Sequence, residues 1–128
     1  MYFIYVSNDN DAIKLLEEVL QLVDRTKLLI AVPDGYNLIQ FLQNVKRGES
    51  YPDLIILSTQ LSRMSGKEVL ELLKVDDIYR LIPVIMLLRE GNEDEQLFCR
   101  QLGTETIAEP SLKKEWIEAA KQMCAACI

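Results

Sequence analysis

The chain has 128 residues, 49% of them apolar and 27% charged, the size and balance of one globular domain with enough apolar side chain for a core. Its 20 acidic and 14 basic residues leave a net charge of −6, which opposes binding to nucleic-acid phosphates or to anionic membranes. There is no histidine, so the commonest general base, metal ligand and physiological pH switch are all missing, and the three cysteines lack disulfide-framework spacing.

No run approaches about 18 consecutive apolar residues, the length that would span a membrane. Residues 1 to 6 carry neither a preceding basic region nor a following small-residue cleavage site. A cytoplasmic protein is expected, with residues 1–128 forming a single domain.

In chain order, Tyr2-Phe3-Ile4-Tyr5-Val6 is aromatic and β-branched and reads as a buried strand, closed by Ser7-Asn8-Asp9-Asn10. Residues 10 to 24 then place Ile13, Leu16, Leu20 and Val23 on one helical face, with Asn10 or Asp11 as the expected cap. Leu28 to Val32 is a second strand, ended by the turn signal Pro33-Asp34-Gly35. Leu38, Phe41, Leu42 and Val45 give a second helix that ends before Gly48. Leu54 to Leu57 is a continuous apolar run, the pattern of a central parallel strand covered on both faces.

A third helix starts near Gly66, with Val69, Leu70 and Leu73 inward. Val84 to Leu88 is a fourth strand, and residues 92 to 102 a fourth helix with Gly103 as its stop. Thr104 to Ala108 is a short fifth strand. Leu112, Trp116, Ile117, Ala120 and Met123 space a fifth helix, with Trp116 expected in the core. Five βα units in succession imply a doubly wound parallel sheet with right-handed crossovers. Sites in such sheets form at the carboxyl ends of the strands. The loops to inspect are therefore 7–10, 58–65, 88–92 and 109–111.

Several pieces carry a resemblance. Tyr51-Pro52-Asp53-Leu54-Ile55-Ile56-Leu57 leads into Ser58, and Ser62-Arg63-Met64-Ser65-Gly66 follows. Ile82-Pro83-Val84-Ile85-Met86-Leu87, Gln101-Leu102-Gly103-Thr104 and Glu109-Pro110 complete the set. Together they resemble response-regulator receiver domains over the whole chain. The resemblance implies a flavodoxin-like α/β fold, with a five-stranded parallel sheet in order 2-1-3-4-5 and five helices. It also implies a place in a phosphorelay or two-component-type signalling system.

Receiver chemistry uses an acidic pair for Mg²⁺, a phosphoacceptor aspartate, a Thr or Ser after the fourth strand and a Lys before proline. By position these become Ser7 and Asn8, Ser58, Leu88 and Glu109, so every one departs from the family pattern. Ser7 and Asn8 offer only neutral oxygens where a hard cation wants carboxylates. Ser58 is a weak nucleophile without a histidine to activate it. Leu88 donates no hydrogen bond. Glu109 sets a negative charge against any phosphoryl oxygen, worth roughly 1 kcal/mol of repulsion at 4 Å in water and about 4 at an effective dielectric of 20. The aromatic switch position falls near Thr106, in a Gly103-to-Pro110 segment one residue shorter than in the family. The expectation is a degenerate pocket of Ser7, Asn8, Asp9, Ser58, Leu88 and Glu109, with no catalytic residue, no enzyme activity and weak or absent Mg²⁺ binding.

Plainer readings stand beside these. Ser58 is either a small polar filler of a vacated site or a seryl phosphoacceptor. Asp9 is a loop residue or helix cap, or it joins Glu109 and Asp53 in a shifted cation site. Cys124 and Cys127 fall at a helix end where the dipole opposes a thiolate, which favours packing over redox chemistry. The charges Glu93, Asp94, Glu95, Lys113, Lys114 and Glu118 lie on the helix 4/strand 5/helix 5 face, which the resemblance marks for a protein partner or a homodimer. Mixed charge on a surface helix is also what simple solvation produces. The leading expectation is a phosphorylation-independent interaction module. The alternative is a small-ligand or cation sensor built on the degenerate pocket.

Overall fold

The alternation of apolar runs and amphipathic stretches folds as five βα units in a computed structural model, which describes residues 2–58, 61, 64–89 and 93–126. The elements are β1 (Tyr2–Val6), α1 (Asn10–Val23), β2 (Leu28–Val32), α2 (Gly35–Gln43), β3 (Leu54–Ser58) and α3 (Gly66–Val75). A 3-10 turn (Tyr79–Leu81) precedes β4 (Val84–Leu88), α4 (Glu93–Gln101), β5 (Glu105–Ala108) and α5 (Lys113–Ala125). The strands form one sheet in the order β2-β1-β3-β4-β5, and every pairing is parallel. This is the flavodoxin-like arrangement expected from the sequence.

Strand alternation sorts the core into two layers. Ile4, Val6, Ile55, Leu57, Val84 and Met86 pack under α2, α3 and α4 with Leu38, Leu42, Val69, Leu73 and Cys99. Phe3, Tyr5, Leu54, Ile56, Ile85 and Leu87 pack under α1 and α5 with Leu16, Leu20, Trp116 and Met123. Leu54 to Leu57 are wholly buried, as a strand covered on both faces requires. Each such side chain contributes about 1.5–3 kcal/mol through burial.

The helix starts differ in detail from the sequence reading. Asp9, not Asn10 or Asp11, caps α1: its backbone is extended (φ −89°, ψ 101°) and its carboxylate accepts from the N–H groups of Asp11 and Ala12. Asn10 and Asp11 are already in the first turn, where a side chain no longer reaches the free N–H groups. Asp34 caps α2 by accepting from the Asn37 N–H at 2.8 Å. Gly35 is more than a turn residue, because a Cβ there would run into the Val69 side chain of α3. Glu115 accepts from the Leu112 and Ser111 N–H groups at 2.9 and 3.1 Å. Those bonds hold its carboxyl below the usual glutamate range.

Thr104 falls outside β5. Its N–H donates to the Cys99 carbonyl at 2.8 Å, closing the end of α4, while Gly103 takes φ +69° as a helix-stop glycine does. The 3-10 turn was not read from the sequence. Asp76 builds it by accepting from the N–H groups of Ile78 and Tyr79 at 2.8 and 2.9 Å. Residue 92, expected in the fourth helix, lies outside the described residues.

Candidate functional site

Parallel strands bring their carboxyl ends to one edge, and the register fixes who meets whom there. Val6 pairs with Leu57, Ser58 with Leu87, and Leu88 with Ala108. Ser7, Ser58 and Glu109 thus come to the same end of the sheet, as the sequence implied. Part of the surrounding loops 58–65 and 88–92 lies outside the described residues.

Ser7 is buried. Its N–H donates to the Val32 carbonyl at 2.9 Å, and its Oγ accepts the Asp9 N–H at 3.1 Å. Asn8 and Asp9 are exposed. The Asp9 Oδ1 is occupied by two backbone donors at 3.1 and 3.2 Å, which makes the cap its observed role. Ser58 is half-buried at the end of β3. Leu88 is 1% exposed and belongs to the core under α2, α3 and α4. Its side chain is therefore part of the core and not of the strand-end surface.

Glu109 is positioned by its own N–H, which donates to the Leu88 carbonyl at 2.8 Å. Its Oε2 stands 3.7 Å from Nε of Arg89. Sequence reasoning missed this pair. The signal was present, because Arg89 follows β4 directly and parallel register sets it beside the residue after β5. Arg89, directly after β4, thus brings a cation to this edge, engaged with the carboxylate that stands in the family's lysine position.

Tyr5 lies beneath the edge. Its ring packs edge-to-face on Trp116 at 6.4 Å, and the Ser7 side chain lies near its hydroxyl. Burial pushes the phenol up to about 12, opposed by the nearby Ser7 side chain and helped by the negative charges of Glu109 and Asp9. An unfolded tyrosine titrates near 10. The unfolded state therefore loses its proton first, and stability present below pH 10 declines as pH rises toward 12. The difference corresponds to an order of 2–3 kcal/mol. Tyr5→Phe is expected to flatten the fall in stability between about pH 10 and 12, measured by urea unfolding at each pH. An unchanged alkaline slope would contradict the assignment.

Asp53 is at the opposite end of β3. Its N–H donates to the Tyr2 carbonyl at 2.9 Å, and its Oδ2 accepts the Tyr2 N–H at 3.0 Å. Five residue steps along the strand separate it from Ser58, roughly 16 Å at about 3.3 Å each. The shifted cation grouping of Asp9, Glu109 and Asp53 is therefore not assembled. Among the described residues, no three His, Cys, Asp or Glu side chains are gathered as a metal site. Cys124 is half-buried, and its thiol is raised first by burial and then by the charge of Asp24. Cys127 lies outside the described residues.

On the β5–α5 side, Thr106, Ile107, Lys114, Glu118 and Gln122 line an open hollow of about 590 Å³. It is accessible because β5 is an edge strand. Lys121 and Glu118 pair along the helix at 3.3 Å. Among the described residues, no helix is long and apolar enough to cross a membrane.

The chain has the fold and the sequence relatives of a response-regulator receiver domain. No family model matches it. It is 33% identical over 91 residues to response regulator Rcp1 of Synechocystis sp., a match covering 70% of this chain and 62% of that protein. It is 39% identical over 74 residues to the polar-differentiation response regulator DivK of Brucella anthropi, covering 57% of this chain and 60% of the relative. The chain thus spans less than two thirds of either relative's length. The crystal structure of the phosphorylated cyanobacterial phytochrome response regulator RcpA superposes with a TM-score of 0.83 at 26% identity, over 94% of this chain and 89% of that one. The Mn(2+)-bound form of Rcp1 gives 0.81 at 26% identity, with the same coverage.

Proposed function

We propose that this receiver-like signalling protein acts as a phosphorylation-independent interaction module in a phosphorelay or two-component-type system. One observation carries the reading most directly: the strand-end carboxylate expected as acceptor is replaced by Ser58, while Glu109 stands in the lysine position and is turned to Arg89. RcpA has been solved phosphorylated and Rcp1 with Mn(2+). The corresponding residues here do not fit that chemistry. Ser7, Asn8 and Ser58 supply neutral oxygens, Asp9 is engaged as a cap, and Mg²⁺ prefers carboxylates in near-octahedral array. Mg²⁺ binding is therefore weak or absent on this reading. Leu88 in the core leaves no hydroxyl to follow a phosphoryl group. What supports a role in recognition is the open β5–α5 face with its mixed charge.

The test uses the intact chain immobilised as bait. Proteins recovered on it should bind equally with and without acetyl phosphate and Mg²⁺, and binding should weaken on Lys114→Glu with Glu118→Lys. A clear phosphodonor-dependent gain in affinity for any partner would sink the proposal.

A further inference from the structure

The sheet ends on one side at β2, and that edge is open. Leu28 to Val32 hold no charge, proline or bulge of the kind that blunts an edge strand. The other edge differs, because β5 begins on Glu105 and runs into Glu109 and Pro110. In β2, Leu28 is 64% exposed, Ala31 is exposed, and Leu29 and Ile30 are half-buried. Neither face is sealed beside the strand. On the α1 side a hollow of about 290 Å³ is lined by Gln21, Leu28 and Leu29. On the α2 side one of about 630 Å³ is lined by Tyr2, Ile30 and Phe41. Side chains of an added strand, alternating between faces, have room on both.

Pairing with β1 fixes where each backbone group of β2 points. Val6 pairs with Val32, and the Ser7 N–H donates to the Val32 carbonyl. Both backbone groups of Val32 therefore point to β1, and alternation turns those of Ile30 and Leu28 the same way. Leu29 and Ala31 turn their N–H and C=O outward, and among the described residues nothing bonds to them there. The next outward position on either side lacks a donor. Lys27 gives its N–H to the Asp24 carbonyl at 3.3 Å, and Pro33 has no N–H. The edge thus offers two complete residues, one on each side of Ile30.

We infer that β2 pairs antiparallel with β2 of a second copy, about a two-fold axis at Ile30, joining the two five-stranded sheets edge to edge. A two-fold operator sets the same edge against itself with the strands in opposite directions. Leu29 of each copy then faces Ala31 of the other. Each such pair exchanges both N–H···O bonds, so every outward donor and acceptor of the two strands is used. Centring the seam on Leu29 or on Ala31 instead draws in Lys27 or Pro33, where a donor is missing. The side chains agree with the same register. Ile30 meets Ile30 at the axis, a close pair of β-branched residues, and the exposed Leu28 gains Val32 of the second copy as its neighbour. The complement of this edge is therefore the edge itself, and a second copy brings a strand already extended, with no ordering cost. The seam is small against the roughly 800 Å² per partner of a standard interface, so association is weak and concentration-dependent. It leaves the β5–α5 face free, and it does not depend on the function proposed above.

Sedimentation velocity and residue-resolved amide hydrogen exchange on the full chain test the inference, from about 50 µM to about 1 mM, the range in which so small an interface is populated. The expected result is a monomer–dimer equilibrium in which exchange at Leu29 and Ala31 slows as concentration rises. The amides of Thr106 and Ala108, on the other edge strand, should not change. Ala31→Pro removes one outward donor from each copy and leaves the bonds to β1 in place, as proline on an edge strand does. It should weaken the dimer at least about ten-fold. Ala31→Lys sets a charge in the apolar seam and should weaken it likewise. The position is exposed, and unchanged melting of the lysine variant confirms that folding is intact. A dimer whose Leu29 and Ala31 amides exchange as in the monomer, or one indifferent to both variants, would overturn the inference. So would a monomer throughout the range. Protection of the same amides by an added lysine-flanked Leu-Leu-Ile-Ala-Val peptide would then assign the edge to a peptide instead.

Discussion

Trp116→Ala is expected to cost about 3–5 kcal/mol of stability, the range for truncating a buried aromatic. The side chain is 2% exposed. It stands at the junction of α5 with the sheet, in the layer that includes Leu16, Leu20, Ala120 and Met123. It also supports the Tyr5 ring at 6.4 Å and 62° between planes, a geometry worth about 0.5–1.5 kcal/mol beyond area. Typical domains are stable by about 5–15 kcal/mol in all, so the variant stands near the limit of folding. Urea unfolding should show a much lower midpoint with little change in slope. A loss under about 1 kcal/mol would mean that the α5 layer repacks freely and that Trp116 does not anchor it.

The second large effect concerns the strand-end site. Ser7→Asp, Asn8→Asp and Ser58→Asp, combined with Glu109→Lys, restore the charge pattern of the family that the chain resembles. Three carboxylates at one sheet edge repel, so the variant should be less stable than the parent without metal. Magnesium should then stabilise it by about 2.7 kcal/mol at a hundred-fold excess over its Kd, seen as a rise in Tm. The parent, with neutral oxygens at three of those positions and Glu109 beside Arg89, should show no such rise. Equal stabilisation of both proteins would show that the metal binds elsewhere. It would also remove the physical basis for calling the pocket degenerate.

The fold was legible because its signals are long-range and periodic. The first four strands fall where their apolar runs fall, since a strand covered on both faces must be continuously apolar. The helices follow their apolar faces. The misses are local. The 3-10 turn has no apolar period of its own and rests on the Asp76 carboxylate catching two N–H groups. Asp9, Asn10 and Asp11 are all competent cap residues, and only backbone conformation selects the first. Asp53 was grouped with Asp9 and Glu109 by charge alone. Strand direction puts it at the other end of β3, against Tyr2.

Within the site, sequence position placed Ser7, Ser58 and Glu109 at one edge. It did not reveal how they are engaged. Tyr5 reads as one more core aromatic until its hydroxyl is placed within the influence of Ser7, Glu109 and Asp9. Arg89 reads as a surface charge until register sets it beside Glu109. The Arg89–Glu109 pair is a side-chain relation across strands, which no single-strand pattern carries.

The most direct measurement is intact-mass analysis after incubation with acetyl phosphate and Mg²⁺, with Ser58→Ala as control. The unmodified mass is predicted for both proteins. A stoichiometric phosphoryl adduct on the parent would contradict the account. Hydroxylamine lability would then distinguish an acyl phosphate on a carboxylate such as Asp9 from a stable ester on Ser58.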